Sequence, residues 1–234
     1  MIVLGIETST PQTTVALATE NGPLASMLVS IGQPQHDIVV PAVEHILRWS
    51  HTELSQVGGV AVGIGPGLFT GLRVGVQTAK TLAQVLQVPV VGLASLDVLA
   101  FPLRHTRRWI CATVDARRKE VFFALYRPTP GGVERASEFM LGSPEKLVAE
   151  LEALGREVLM VGDGAIRYRR ELEALGSSVD FASVDLSHPH AAALVELSIP
   201  RFMREEFDRS ADVVPLYLRK SDAEIAWDKR ARTG

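Results

Sequence analysis

Short apolar runs separated by polar turns dominate the first hundred residues. Within residues 13–19, Val15 and Leu17 share one face, as in a strand that buries one side. Asn21-Gly22 follows, and this pair favours a tight hairpin because both residues tolerate a positive φ. The pattern predicts strands at residues 2–6, 13–19, 24–31, 59–64 and 88–93.

Helical periodicity separates these runs. Apolar residues recur at alternating intervals of four and three at Leu72, Val76, Ala79, Ala83 and Leu86. Helices are predicted at about residues 37–50 and 70–86, and at 96–100 with Ser95 as the cap. Alternating helices and strands after an initial hairpin predict an α/β layer.

The second half repeats this order. Strands are predicted at residues 110–114, 121–126 and 158–161, and helices at 144–154 with Ser143 as the cap, 167–175 and 190–206. Most charged residues lie after Arg104, so the composition shifts near residues 101–108. A division is predicted there, into an N-terminal α/β lobe over residues 1–103 and a C-terminal α/β lobe over residues 104–234.

The composition is that of a globular protein without a strong charge bias. Apolar residues make up 47% of the 234 residues, and 24 basic against 27 acidic side chains leave a net charge of −3. Such a chain has no overall basic field for nucleic acid, so any RNA contact must be local or shared with a partner. No stretch reaches the roughly 18–20 apolar residues of a membrane helix, and the N-terminal MIVLGI run lacks the cationic start of a signal peptide. A soluble, cytoplasmic protein is expected.

The residues that usually carry catalysis or bind metal do not form a recognisable set. No two of the six histidines lie four apart on a helix, and His188 and His190 flank a proline. Cys111, the single cysteine, lies in an apolar strand, which favours an inert core residue and excludes an intrachain disulfide. No catalytic residue and no metal site are predicted. The turn at residues 115–120 carries both charge signs and is either a solvated turn or a tip that binds an anionic partner.

A glycine-rich turn at residues 63–75 joins a buried strand to a helix. Such a turn can hold an anion, because N–H groups at a helix N-terminus point outward. A Walker loop has Lys-Ser or Lys-Thr after its last glycine, whereas Leu72-Arg73 follow Gly71 here. A structural turn and a phosphate cradle both stay open. Glu7 either orients a metal-bound phosphate or is a surface charge that hydrogen-bonds the Thr8-Ser9 turn. The candidate nucleotide or anion loop consists of Glu7, Thr8, Ser9, Gly65, Gly67 and Thr70.

The two long helices of the first half are the candidate partner surface. Gly71, Gly75 and Ala79 form a ridge of small residues at intervals of four, which suggests that another backbone approaches closely. The helix at 37–50 has apolar residues around nearly its whole circumference, more than one sheet face covers. We predict that the two helices lie side by side and form an interface; packing on the chain's own sheet is the alternative. The candidate interface residues are Ile38, Val39, Ala42, Val43, Ile46, Gly71, Leu72, Gly75, Val76, Ala79 and Ala83.

Three segments together resemble the bacterial TsaB family, formerly called YeaZ. They read LGIETS at residues 4–9, GPGLFTGLRVG at 65–75 and SLDVLA at 95–100. The family usually has serine at the position of Leu68. Supporting matches are Asp115-Ala-Arg, Glu120-Val, Gly162-Asp-Gly and PLYLR at residues 215–219.

The resemblance implies a two-lobed actin/Hsp70/sugar-kinase-type fold with a degenerate active site. It further implies a non-catalytic subunit that pairs with the TsaD subunit, joined by the TsaE ATPase. That complex transfers a threonylcarbamoyl group to adenosine 37 of tRNAs reading codons that begin with A. No cofactor is implied for this chain, ATP and a divalent metal being held by the partners. Self-association as a homodimer is implied when TsaD is absent, and tRNA contact only through the complex.

The alternative function is an ATP-dependent small-molecule phosphotransferase of the same fold. It would place Glu7 and the loop at residues 65–71 against ATP, and it needs a catalytic aspartate. Asp97, Asp115 and Asp163 are the candidates. A peptidase is less well supported, because the chain has neither a histidine pair for metal nor an activated nucleophile.

Overall fold

Two β-sheets, each covered by helices, make up the chain in the computed structural model, which describes residues 1–30 and 35–219. Sheet 1 has the order β3-β2-β1-β4-β5, with β1, β2 and β3 antiparallel and β4 and β5 parallel to β1. Its strands are β1 (Ile2–Glu7), β2 (Thr13–Thr19), β3 (Gly22–Val29), β4 (Val57–Gly63) and β5 (Val90–Leu93).

Helices cover both faces of sheet 1. Its helices are α1 (Gln35–Trp49), α2 (Phe69–Leu86), α3 (Ser95–Ala100) and α7 (Ala191–Met203). Leu4 and Ile6 of β1 point to the α1–α2 side, whereas Val3 points to the α7 side, as the two-residue period of a strand requires. The two apolar cores of this lobe therefore lie on opposite faces of one sheet.

Sheet 2 has the order β11-β10-β6-β7-β8, with β9 paired to β7. Its strands are β6 (Trp109–Arg117), β7 (Glu120–Thr129), β8 (Gly132–Arg135), β9 (Met140–Gly142), β10 (Val158–Val161) and β11 (Val179–Phe181). Helices α4 (Pro144–Leu154), α5 (Asp163–Arg167) and α6 (Arg169–Glu173) pack on one face. The other face packs against Leu96 and Leu99 of α3. Val98 of the same helix packs in the α7-side core of sheet 1, so α3 joins the two sheets.

The α/β fold class is confirmed, and most elements lie within a few residues of their predicted positions. The Ser143 hydroxyl accepts the Lys146 N–H bond as a helix cap should, at 3.3 Å. Ser95 is instead the first residue of α3, after Ala94. Strands β8, β9 and β11 were not predicted, and the helix predicted at 167–175 is divided at Tyr168 into α5 and α6. Residue 31 of the third predicted strand lies outside the described residues.

The predicted lobe division at residue 104 is wrong for the end of the chain. Helix α7 packs on β1, β2 and β4 of sheet 1, where Val195 fills the space beside Gly5. Further on, the Leu216 N–H donates to the Ile64 carbonyl at 2.7 Å. The chain thus returns to the first lobe after completing the second. Residues 220–234 of the predicted C-terminal lobe lie outside the described residues.

Candidate functional site

The turn after β1 packs against the glycine-rich motif. Glu7, Thr8 and Ser9 are buried here, at the carboxyl end of the strand. A Cβ atom added to any of four glycines at intervals of four would overlap atoms of this turn. These glycines are Gly63, Gly67, Gly71 and Gly75. Their spacing thus makes room for the chain's own β1 turn.

Glu7 is held entirely by groups of its own chain. Its Oε1 accepts the Ser9 N–H bond at 2.6 Å, and its Oε2 accepts the Ser95 hydroxyl at 2.9 Å. Ser95 Oγ in turn accepts the Gly65 N–H bond at 3.2 Å. Burial raises the pKa of Glu7, and the bonds from Ser9 and Ser95 partly oppose this rise. Glu7 thus bonds the turn, as the second alternative predicted, but it is buried, so that alternative is wrong in calling it a surface charge.

The chain's own main chain occupies the space inside the candidate anion loop. The Leu68 N–H at the start of α2 donates to the Ser9 carbonyl at 2.7 Å, and that carbonyl faces Gly67. It occupies the space at the helix N-terminus where a phosphate oxygen would bind. Of the predicted loop residues, Gly65 is also buried, and Thr70 is exposed beside this contact rather than in it. The geometry favours the structural turn over the phosphate cradle.

The predicted interface residues lie inside the chain. Ten of the eleven are buried, and Ile38 is half-buried. Helices α1 and α2 do contact each other, as predicted, but their seams pack on sheet 1 beside Leu4 and Ile6. The Thr8 hydroxyl donates to the Gly71 carbonyl at 2.8 Å, so the close backbone approach is made within one chain. Ten of these side chains are therefore covered by the chain's own sheet and β1 turn, and pairing with a partner through this part of the chain stays a prediction.

Three other apolar residues of the same two helices are exposed. Val40 and Trp49 of α1 are 51% and 67% exposed, and Val85 of α2 is 72% exposed. A groove of about 870 Å³ lies between α2 and residues 213–217. Among its lining residues are His36, Arg73, Val74, Gln77, Val214 and Tyr217. None of these residues was among the predicted interface residues, because helical periodicity identifies the buried apolar seam. Val40, Trp49 and Val85 are apolar residues outside that seam.

The segment that carries the PLYLR motif is fastened to α2. Tyr217 stacks on Phe69 with ring centroids 4.7 Å apart, and the Arg73 guanidinium lies 4.0 Å above the Phe69 ring. Arg73 Nε also donates to the Tyr217 hydroxyl at 3.2 Å. Lys80 Nζ donates to the Val213 carbonyl at 3.2 Å. This segment therefore extends the exposed surface of α2.

The three candidate aspartates are each engaged within the chain. Asp97 accepts the Tyr126 hydroxyl at 2.8 Å, and Asp115 lies 3.3 Å from an Arg117 nitrogen. Asp163 accepts the Asp115 N–H bond at 2.9 Å. Burial raises the pKa of Asp163 to about 6, and the nearby charge of Asp115 adds to the rise. None of these contacts joins an aspartate to Glu7.

The remaining side chains that could carry chemistry are one cysteine and two histidines. Burial raises the pKa of the Cys111 thiol, which is fully enclosed, so it is protonated at neutral pH. His188 Nδ1 lies 4.0 Å from Asp163 Oδ2, and burial lowers the pKa of His188 and of His190. Across residues 1–30 and 35–219, no three histidine, cysteine or acidic residues group as metal ligands would. No helix in that part of the chain is long and apolar enough to cross a membrane.

The fold defines a two-lobed protein of the actin/Hsp70/sugar-kinase type. Residues 32–227 match the family model described as TsaD, tRNA N6-adenosine threonylcarbamoyltransferase. The tRNA threonylcarbamoyladenosine biosynthesis protein TsaB of Bacillus subtilis (strain 168) is 30% identical over 97% of this chain and 98% of its own length. TsaB of Escherichia coli (strain K12) is 27% identical over 98% of both chains. The chain therefore belongs to the TsaB (YeaZ) family, within the group that the TsaD-type model describes.

Solved structures agree with the fold. YeaZ from Pseudomonas aeruginosa is similar with a TM-score of 0.79 and 27% identity, covering 93% of this chain and 99% of that one. The activator of 2-hydroxyisocaproyl-CoA dehydratase from Clostridium difficile has a TM-score of 0.55 at 11% identity, covering 89% and 99%. The second likeness concerns the fold alone. The predicted fold class is confirmed by both.

Proposed function

We propose that this chain is a non-catalytic subunit of the system that makes threonylcarbamoyladenosine in tRNA. In this proposal it pairs with a TsaD-type subunit, which transfers the threonylcarbamoyl group to adenosine 37 of tRNAs reading codons that begin with A, and a TsaE-type ATPase joins the pair. The observation that carries it is similarity over nearly the whole chain to proteins named for this biosynthesis. The chain itself would work in the cytoplasm, where tRNA is modified.

The geometry around Glu7 supports a non-catalytic role. In a phosphotransferase a carboxylate at this strand end must reach a metal or a phosphate. Here both Glu7 oxygens accept bonds from Ser9 and Ser95, and the Ser9 carbonyl fills the helix terminus. We therefore assign no cofactor to this chain and place ATP and a divalent metal in the partner subunits. Titration calorimetry of the chain alone with Mg-ATP should give no binding heat; tight binding with turnover would revive the phosphotransferase alternative.

Reconstitution tests the function directly. A transcribed tRNA that reads a codon beginning with A is incubated with purified TsaD and TsaE and with a TsaC-type enzyme, which supplies threonylcarbamoyl-adenylate, with and without this chain. We expect threonylcarbamoyladenosine, measured by mass spectrometry of the digested tRNA, only when the chain is present. Modification that proceeds equally well without it, or with it but without TsaD, would contradict the proposal.

The outer face of α1 and α2 is the proposed pairing surface. It includes exposed Val40, Trp49 and Val85 and the groove beside α2, and exposed apolar residues and grooves are typical of protein interfaces. A stable pair needs about 1,200–2,000 Å² of buried surface in total. The same face is proposed to form a homodimer when the TsaD-type subunit is absent.

Val85→Glu is expected to weaken pairing without unfolding the chain. An unpaired charge buried in an interface costs about 2–5 kcal/mol, which corresponds to a rise in Kd of about 30-fold or more. The side chain is 72% exposed in the free chain, so the fold should tolerate the change. Kd for the TsaD-type subunit is measured by calorimetry, and the homodimer by analytical ultracentrifugation.

Val184→Glu is the matched control. Val184 is 68% exposed and lies after β11, in the second lobe, so it carries the same substitution at similar exposure on a different element. Pairing should be unchanged in this variant. Equal Kd values for the Val85 and Val184 variants would place the interface elsewhere.

A further inference from the structure

The described residues that line the groove beside α2 include Arg73 and Lys80 but no aspartate or glutamate. Between Glu53 and Asp97 the chain contains no acidic residue at all, and these two cations are the only charged residues there. They are seven residues apart on α2, which places them on one side of the helix and about 10 Å apart along it. The whole chain has more acidic than basic residues, so this local positive charge does not follow from composition.

Neither cation pairs with an acid in the part of the chain that the structure describes. Lys80 Nζ donates to the Val213 carbonyl, and Arg73 Nε donates to the Tyr217 hydroxyl, each at 3.2 Å. Both acceptors are neutral oxygens. No carboxylate oxygen in residues 1–30 and 35–219 lies within 4.0 Å of a side-chain nitrogen of either cation. The groove therefore keeps a positive charge that a partner can neutralise.

Arg73 is held in one orientation in the free chain. Its guanidinium lies 4.0 Å above the Phe69 ring, and that ring stacks on Tyr217 with centroids 4.7 Å apart. The bond to Tyr217 uses Nε, whereas the two terminal nitrogens have no hydrogen bond among the described residues. A guanidinium binds a carboxylate through two parallel N–H groups of this kind. Holding the side chain in place beforehand reduces the entropy that is lost on binding.

We propose that the groove receives a segment of the TsaD-type subunit in which a carboxylate lies among apolar residues, and that Arg73 binds this carboxylate; the inference rests on the proposed function. Val74, Val214 and Pro215 supply apolar walls. Arginine and tyrosine are among the residue types that most often dominate the binding energy of an interface. A charge buried in an interface is costly unless an opposite charge pairs with it, so the groove favours an acidic segment over a basic one.

The test removes the charge from one exposed side chain. Arg73→Gln keeps a polar side chain on α2, and the matched control is Arg170→Gln, the same change at an exposed arginine of α6. Kd for the TsaD-type subunit is measured by calorimetry at about 50 and 200 mM salt, because salt screens charge pairs. We expect Arg73→Gln to weaken pairing about tenfold or more and to reduce its salt dependence. The control should match the parent.

Arg73→Lys identifies the group that the groove binds. A water-soluble carbodiimide joins a lysine amine to a carboxylate in contact with it and takes up the water lost as the amide bond forms. In the assembled pair, mass spectrometry should find position 73 joined to an aspartate or glutamate of the TsaD-type subunit. The thermal midpoint of each free variant is measured beside it.

An unchanged Kd for Arg73→Gln, an equal loss in the control, or cross-links from position 73 that reach only this chain would overturn the inference. A lower thermal midpoint with an unchanged Kd would show that Arg73 only fastens residues 213–217 to α2. If the parent chain pairs and is needed for modification while Arg73→Gln pairs equally well, only this inference fails. A parent chain that does not pair with the TsaD-type subunit overturns the proposed function as well.

Discussion

Gly75→Ala is expected to lower the free energy of unfolding by about 2–3 kcal/mol, although alanine is the better helix former. The new Cβ would overlap Thr8 Oγ1, and Thr8 is fully buried. Rotating Thr8 away would break its bond to the Gly71 carbonyl. If Gly75 instead served a partner surface, alanine there would leave the free chain equally stable or raise its stability by about 1 kcal/mol. Urea unfolding of the free chain separates the two cases.

A double-mutant cycle identifies the contact responsible. Thr8→Ala removes Oγ1 and alone should cost about 1–2 kcal/mol, because the hydrogen bond to Gly71 is lost. With Oγ1 gone, a Cβ at Gly75 lies 3.4 Å from the Thr8 Cβ, an ordinary contact. Gly75→Ala should then be neutral or slightly stabilising, which gives a coupling of about 2–3 kcal/mol between the two positions.

Gly71→Ala provides the control for the cycle. Its Cβ would overlap the main-chain carbonyl oxygen of Thr8, which Thr8→Ala leaves in place. Gly71→Ala should therefore be destabilising in both backgrounds. Rescue of Gly71→Ala by Thr8→Ala, or a Gly75→Ala variant as stable as the parent, would contradict this account of the glycine ridge.

Most strands and helices could be predicted because the hydrophobic pattern that indicates each one lies within a few neighbouring residues. The alternation at Thr13–Thr19 and the apolar run at Val158–Val161 give strands with the predicted bounds. Short strands such as β11 (Val179–Phe181) carry too few residues for a period to be recognised. Helix α7 was predicted as a helix, but nothing in its periodicity says which of two sheets it covers.

The site was harder to predict because its contacts join residues far apart in the chain. The sequence correctly indicated that another backbone approaches Gly71 and Gly75, yet the partner is Thr8, more than sixty residues earlier. The role of Glu7 stayed open for the same reason, since its hydroxyl donor is Ser95, 88 residues later. An apolar seam also cannot show whether it faces a sheet or a second protein, as both bury it equally.

Asp163→Asn is expected to stabilise the chain at pH 7.5 by about 2 kcal/mol. Burial and the charge of Asp115 raise the pKa of Asp163 from 3.8 to about 6, so the folded state binds a proton between these pH values that the unfolded state releases. Stability from this group therefore falls as pH rises from about 4 to 6, and the full cost of the ionised carboxylate is present above pH 6. A pKa rise of this size corresponds to about 3 kcal/mol of stability. We expect about 2 kcal/mol because the Asp163 side chain is 20% exposed, so that solvent screens part of the effect.

The asparagine variant separates charge from shape. Its amide oxygen can still accept the Asp115 N–H bond, and the other groups that face it, Arg117 and His188, are unchanged. Urea unfolding at pH 4 and pH 7.5 should show a gain over the parent only at the higher pH, because Asp163 is already protonated in the folded state at pH 4. Asp212→Asn, which makes the same substitution at an exposed aspartate, is measured beside it as the control. A loss of stability in the Asp163 variant at pH 7.5 would mean that the ionised carboxylate is the form the second lobe requires.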